Sequence, residues 1–287
     1  MSIHSISHVL MAPLALVFIY LGYQSFTQLN YPYSIWMILP LTCLVMLYLF
    51  KGQLDYWWLT KYPVKFDEGL ARFLMANNSY YENLKGEEKT KFETRLNLYM
   101  EGREFKAVGH EQRDVPYDLK ALLSSIPVQL TMHKDDFLIG DMDRIFLYKH
   151  PFPTPGKQYL HALETHTTDG VIILSLAQFS AAEKEPDKHY NVAWHAYIEA
   201  FLIIGKDDTS PIDDYATWEN IEAIAGYDQA SLLNYTGLKA LDPLVVLCTL
   251  FFTNGDKMEG LNPEIYKSLS SFFQRDKLVK PNIVLQD

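Results

Sequence analysis

The stretch Asn191-Val-Ala-Trp-His195-Ala-Tyr-Ile-Glu199-Ala-Phe-Leu-Ile-Ile204 decides how the rest of the chain is read. It is apolar nearly all round, a pattern that predicts a buried helix rather than one lying on the surface. His195 and Glu199 are its only ionisable groups. They are four residues apart, so a helix puts them on one face with adjacent side chains. A buried ionisable pair is costly unless it is partnered. Two readings satisfy that requirement. Imidazole and carboxylate at this spacing can share a metal ion with a third ligand from elsewhere, or they can hydrogen-bond to each other and close a polar hole in the core.

Outward from this helix the pattern alternates between apolar periodicity and polar breaks. Gly205 to Asp214 is a polar loop, Tyr215–Ala225 is helical, and Asp242-Pro243 opens an apolar helix over Leu244–Phe252. Pro263–Arg275 is a last amphipathic helix. On the N-terminal side, Ala181–Lys188 is polar and loop-like, and Gly170–Ser175 is a short apolar run that predicts a buried strand. Arg144–Lys149 alternates as a strand does. Asp118–Ser125 predicts a short helix ended near Pro127, and Gly86–Met100 an amphipathic helix with Phe92, Leu96 and Tyr99 on its apolar face. Helices, then a few strands, then helices make an α+β domain over 68–287.

The other end of the 287-residue chain is a different material. Residues 1–50 contain no Asp, Glu, Lys or Arg, so all 25 basic and 35 acidic residues lie from Lys51 onward. Residues 6–26 and 33–50 are apolar runs of about the 20 residues that a bilayer-crossing helix needs. Tyr20, Tyr23, Tyr31, Tyr33 and Trp36 gather at the turn between them, and Tyr56, Trp57 and Trp58 at the far end, where membrane interfaces would lie. Residues 1–50 therefore read as a transmembrane hairpin with the lipid bilayer as partner, and 51–67 as a juxtamembrane linker. The turn has no cation, whereas Lys51, Lys61 and Lys65 follow the second span. The positive-inside rule then places both termini and the soluble domain in the cytoplasm. A net charge of −10, carried wholly by the soluble part, argues against nucleic acid as a partner. Two cysteines give no disulfide framework.

From Leu70 to Asp276 the sequence resembles the Mlc titration factor A (MtfA) type of zinc-dependent peptidase. The resemblance is carried by the helix Glu87–Met100 followed by Phe105-Lys106-Ala107-Val108, then Ile145-Phe146-Leu147-Tyr148 with Pro151-Phe152, then Gly170–Ser175. It continues through Asn191-Val192 into the helix at His195, and closes with Tyr235, Phe251-Phe252 and Phe272–Asp276. It implies a zincin-like α+β fold, a bacterial source and a plasma-membrane location for the anchored form. In that family the zinc helix reads H-E-x-x-H, two imidazole ligands and a Glu acting as general base on zinc-bound water. The same positions here read His195-Ala196-Tyr197-Ile198-Glu199. The first ligand is kept, the base becomes Ala196, and the second imidazole becomes Glu199. The family's third ligand, a Glu early in a later helix, falls on Asp242 when Tyr235 and Phe251-Phe252 are aligned. It falls on Val245, which has no donor, when the Asp-Pro pair is aligned. Asp242 before Pro243 also has the pattern of a helix N-cap.

Three functions follow as expectations. A base removed from a hydrolase typically costs ~10²–10⁴ in rate, so the first is a catalytically degenerate peptidase that binds a peptide or protein without cleaving it. The second is an active metallohydrolase with a rearranged His195, Glu199 and Asp242 site holding zinc or another divalent metal. His189, Tyr190 and Tyr235 are further candidates near it. The third is a purely structural membrane-anchored domain.

Overall fold

The computed structural model describes residues 5–28, 31–109, 114–154 and 159–274. Arg275 and Asp276, at the end of the last expected helix and of the resemblance, lie outside the described residues. The chain divides into two compact units, Met1–Phe66 and Asp67–Asp287.

The first unit is helical throughout. It comprises α1 (Ile6–Gln28), α2 (Tyr31–Trp36), α3 (Ile38–Leu49) and α4 (Lys51–Lys61). The segment Ile6–Thr27 is long and apolar enough to cross a membrane. The second apolar stretch, Tyr33–Leu49, passes that test only together with Lys51–Lys61, from which it is bent by 68°. Residues 51–61, expected as linker, form a helix. Leu59 is buried, and Asp55 turns inward to the start of α1, where it accepts hydrogen bonds from Ser5 Oγ (2.8 Å), the Ser7 amide (2.9 Å) and Ser7 Oγ (2.8 Å). These contacts supply tertiary support that local propensity at Gly52 and the aromatic run lacks.

The second unit is mostly helical around a small mixed sheet. In chain order its elements are α5 (Glu68–Asn77), α6 (Ser79–Asn83), α7 (Gly86–Gly102), β1 (Glu104–Val108), α8 (Tyr117–Leu130), β2 (Arg144–Tyr148), β3 (Leu163–His166), β4 (Val171–Ser175) and α9 (Leu176–Lys184). They are followed by α10 (Val192–Gly205), α11 (Ser210–Asp213), α12 (Trp218–Ala225), α13 (Gln229–Thr236), α14 (Pro243–Thr253), α15 (Gly255–Leu261) and α16 (Pro263–Phe272). The sheet order is β1-β2-β4-β3. The first three strands run parallel, with Ile145 opposite both Phe105 and Ile172, and β3 is antiparallel to β4, with Leu163 opposite Leu174. β3 is thus an edge strand, and α10 packs against it.

Two local expectations change. The helix at 118 does not end at Pro127 but runs to Leu130, with Pro127 inside it. Burial of Ile126, Val128 and Leu130 outweighs the hydrogen bond that proline removes. The turn after α8 is gripped by the buried Arg95, whose Nη1 donates to Thr131 O (3.0 Å) and Nη2 to Lys134 O (2.7 Å). Residues 181–184, expected as loop, belong to α9, because Phe179 and Ala182 find a core to bury into.

Candidate functional site

The helix α10 begins where Asn191 caps it. Asn191 Oδ1 accepts from the Ala193 and Trp194 amides at 3.1 and 3.2 Å, while its Nδ2 donates to Glu183 Oε1 at 2.8 Å. Such a cap satisfies two of the orphan donors of the first turn. Burial pushes the Glu183 carboxyl up, and the Asn191 bond opposes the shift. Trp194 stacks on Phe252 at 4.5 Å, fixing the helix against α14.

His195 is 2% exposed. Its Nδ1 lies 2.7 Å from the Tyr190 hydroxyl, and its Nε2 has no hydrogen-bond partner among the described residues. Burial pushes the imidazole down to about 3 and the phenol well up, so both are neutral at pH 7. The phenol is amphoteric and can either donate to Nδ1 or accept its proton. Only the second arrangement leaves Nε2 with a lone pair.

Ala196 is completely buried. Tyr197, also completely buried, meets Tyr99 edge to face at 6.5 Å, with the Arg103 guanidinium over the Tyr99 ring at 5.2 Å. Glu199 is partly buried, and burial raises its carboxyl, with Asp242 adding to the shift and Thr165 and His166 opposing it. It therefore faces β3 and the start of α14. Asp242 is exposed and caps α14, accepting from the Leu244 amide at 2.9 Å. Val245 is 3% exposed and belongs to the core.

His189 stacks on Tyr235 at 6.0 Å, with its Nε2 3.7 Å from Glu185 Oε2. It lines an open hollow of about 400 Å³ along α9, with Ala177, Ser180, Ala181, Lys184 and Glu185. Tyr235 donates to the Gln178 carbonyl at 3.4 Å, and burial pushes its phenol up to about 12.

No protein-family model and no curated protein matches the chain. The chemistry of the site therefore rests on its own residues.

Among those described, no three His, Cys, Asp or Glu side chains are grouped so as to hold a metal ion. The donor set explains why. Asp242 uses its carboxylate on the start of α14, and Val245 has no donor. Among the described residues His195, Glu199 and Asp242 do not form such a group. What α10 offers is a neutral imidazole on a phenol, an apolar position beside it, and a half-buried acid one turn on.

A second cluster, not singled out from the sequence, lies on and just before β3. The buried Glu164 places Oε1 2.8 Å from His161 Nε2 and Oε2 3.2 Å from His166 Nε2. Thr154 Oγ1 lies 3.0 Å from the same His161 nitrogen. His161 is fully buried and His166 is exposed. The spacing H-x-x-E-x-H was the available signal, since the alternation of a strand puts Glu164 and His166 on one face.

Proposed function

We propose that the chain is a membrane-anchored module of the MtfA peptidase type that has lost hydrolysis and binds an extended peptide or protein segment. The observation that carries this reading is Ala196. It is completely buried on α10, one residue from His195, at the position where a hydrolase of that type needs a base. No side chain at Ala196 can accept a proton from water, and the Tyr190 hydroxyl nearby is a phenol held neutral by burial.

Binding is supported by the edge strand. β3 is paired on one side only within the four-stranded sheet, and it runs antiparallel to β4 alongside α10. An extended segment can add to such an edge through main-chain hydrogen bonds, with alternate side chains meeting the flanking helix. The hairpin would hold this domain at a bacterial plasma membrane with two spans, both termini and the domain cytoplasmic. Supporting that are the length of Ile6–Thr27 and the absence of any charge before Lys51.

Purified full-length chain, incubated with fluorescent casein and with aminoacyl-nitroanilides in zinc-supplemented buffer, should give no rate above the blank. A chelator-sensitive rate that disappears in His195→Ala would overturn the loss of hydrolysis.

A further inference from the structure

The helix α4 carries two faces with different partners. Its inner face is closed by Leu59 and by Asp55, whose carboxylate takes the Ser7 amide and both serine hydroxyls at the N-terminus of α1. A carboxylate there satisfies an orphan amide and complements the helix dipole. The contact spans 48 residues of chain, so it fixes the direction of α4 across the open end of the hairpin. Lys51 Nζ, 3.1 Å from His8 Nε2, makes a second tie between the same helices.

The outer face holds Gln53, Trp57, Thr60 and Lys61, at positions i, i+4, i+7 and i+8, all exposed. Trp57 is 54% exposed, and Lys61 Nζ sits 5.3 Å from its ring centroid. The exposed apolar surface of α3 runs on through Leu49 and Phe50 to this face. The only acid of α4 is engaged within the unit, so the charge left on its outer side is the Lys61 cation. With the apolar span along the membrane normal, a helix bent by 68° from it lies closer to the membrane plane.

We propose that α4 is an interfacial helix that lies on anionic phospholipid headgroups. Trp57 sits at the hydrocarbon boundary, and Lys61 meets lipid phosphates. Tryptophan favours that depth because its ring is apolar and its N–H needs a wet partner. Each lysine near an anionic surface shifts docking by about fivefold. This inference rests on the hairpin reading above.

The test uses the full chain with Cys43→Ala, labelled with a nitrobenzoxadiazole dye at Thr60→Cys. Vesicles are phosphatidylcholine alone or phosphatidylcholine with phosphatidylglycerol. In the anionic vesicles the dye should resist dithionite and be quenched by lipids brominated high on the chain. Lys61→Gln should abolish the difference between the two lipids, and Asp55→Asn should expose the dye in both. Extraction of the vesicles with alkaline carbonate separates the two readings. Release of the chain overturns the hairpin. A retained chain whose dye is reduced equally fast in both lipids overturns the interfacial helix alone. Protection without bromolipid quenching also overturns it, by showing protein rather than lipid on the outer face.

Discussion

His195 stays neutral because burial disfavours the imidazolium. Its folded value, about 3, lies far below the ordinary 6.5. Below pH 6.5 the unfolded chain takes up a proton that the folded chain refuses. The stability present above pH 6.5 is therefore lost progressively as the pH falls toward 3. Urea midpoints between pH 7 and pH 4.5 should fall less in His195→Gln than in the unsubstituted chain. Equal falls would mean that the folded imidazole already carries its proton. The partner phenol gives a second prediction. Tyr190→Phe keeps the packing of a fully buried ring but strips Nδ1 of its 2.7 Å bond. An unsatisfied buried polar atom costs about 1–3 kcal/mol, so the variant should lose that much in equilibrium urea unfolding. A loss below about 0.5 kcal/mol would show that water replaces the phenol.

At the scale of elements, the junction of α13 with the approach to β3 leaves no room for a Cβ at Gly237. Gly237 has φ +71°, and a Cβ there would lie 2.0 Å from the Leu160 carbonyl oxygen and 2.8 Å from His161 Cα. The Ala162 amide donates to Thr236 O at 2.8 Å beside it. Gly237→Ala must therefore push α13 off the segment that carries His161. Gly86, at φ +55° with open space around its Cβ position, is the internal comparison, because alanine there meets only the left-handed strain of about 1–2 kcal/mol. Gly237→Ala should lower the Tm by several degrees more than Gly86→Ala, and a scanning calorimeter decides it. The helix α10 was legible in the sequence because fourteen residues apolar nearly all round leave one solution, and α14 because Asp242-Pro243 announces its start. β3 was not legible. Leu163-Glu-Thr-His166 is short and polar, and it becomes a strand through pairing with β4 and through the imidazoles that satisfy Glu164. α4 was hidden for the same reason, since its helicity comes from Asp55 meeting a helix end 48 residues away. At the site, the sequence identified His195, Glu199 and Tyr190, but spacing alone could not show that the phenol, rather than Glu199, meets the imidazole.

For the whole molecule the distribution of charge matters more than its total. The 25 basic and 35 acidic residues all follow position 50, and since residues 1–66 hold three lysines and one aspartate, the second unit carries a net −12. A domain of that sign is repelled by an anionic leaflet and does not stay at a membrane through its own surface. On the proposed reading, a location at the membrane comes from the uncharged N-terminal segment. On the same reading the cations nearest to it, Lys51, Lys61 and Lys65, would choose the side on which the domain sits. Single cysteines in a Cys43→Ala background test that choice in bacterial spheroplasts with a membrane-impermeant maleimide, Cys248 being buried and unreactive. Thr27→Cys, at the end of α1, should label in intact spheroplasts. Glu219→Cys, exposed on the second unit, should label only after lysis. The reverse pattern would place the domain outside and remove the cytoplasmic reading. Labelling of both sites before lysis would mean that residues 33–50 do not cross. In that case α1 alone holds an acidic domain against the leaflet that repels it, and displacement of the domain from the bilayer should then grow as salt is lowered.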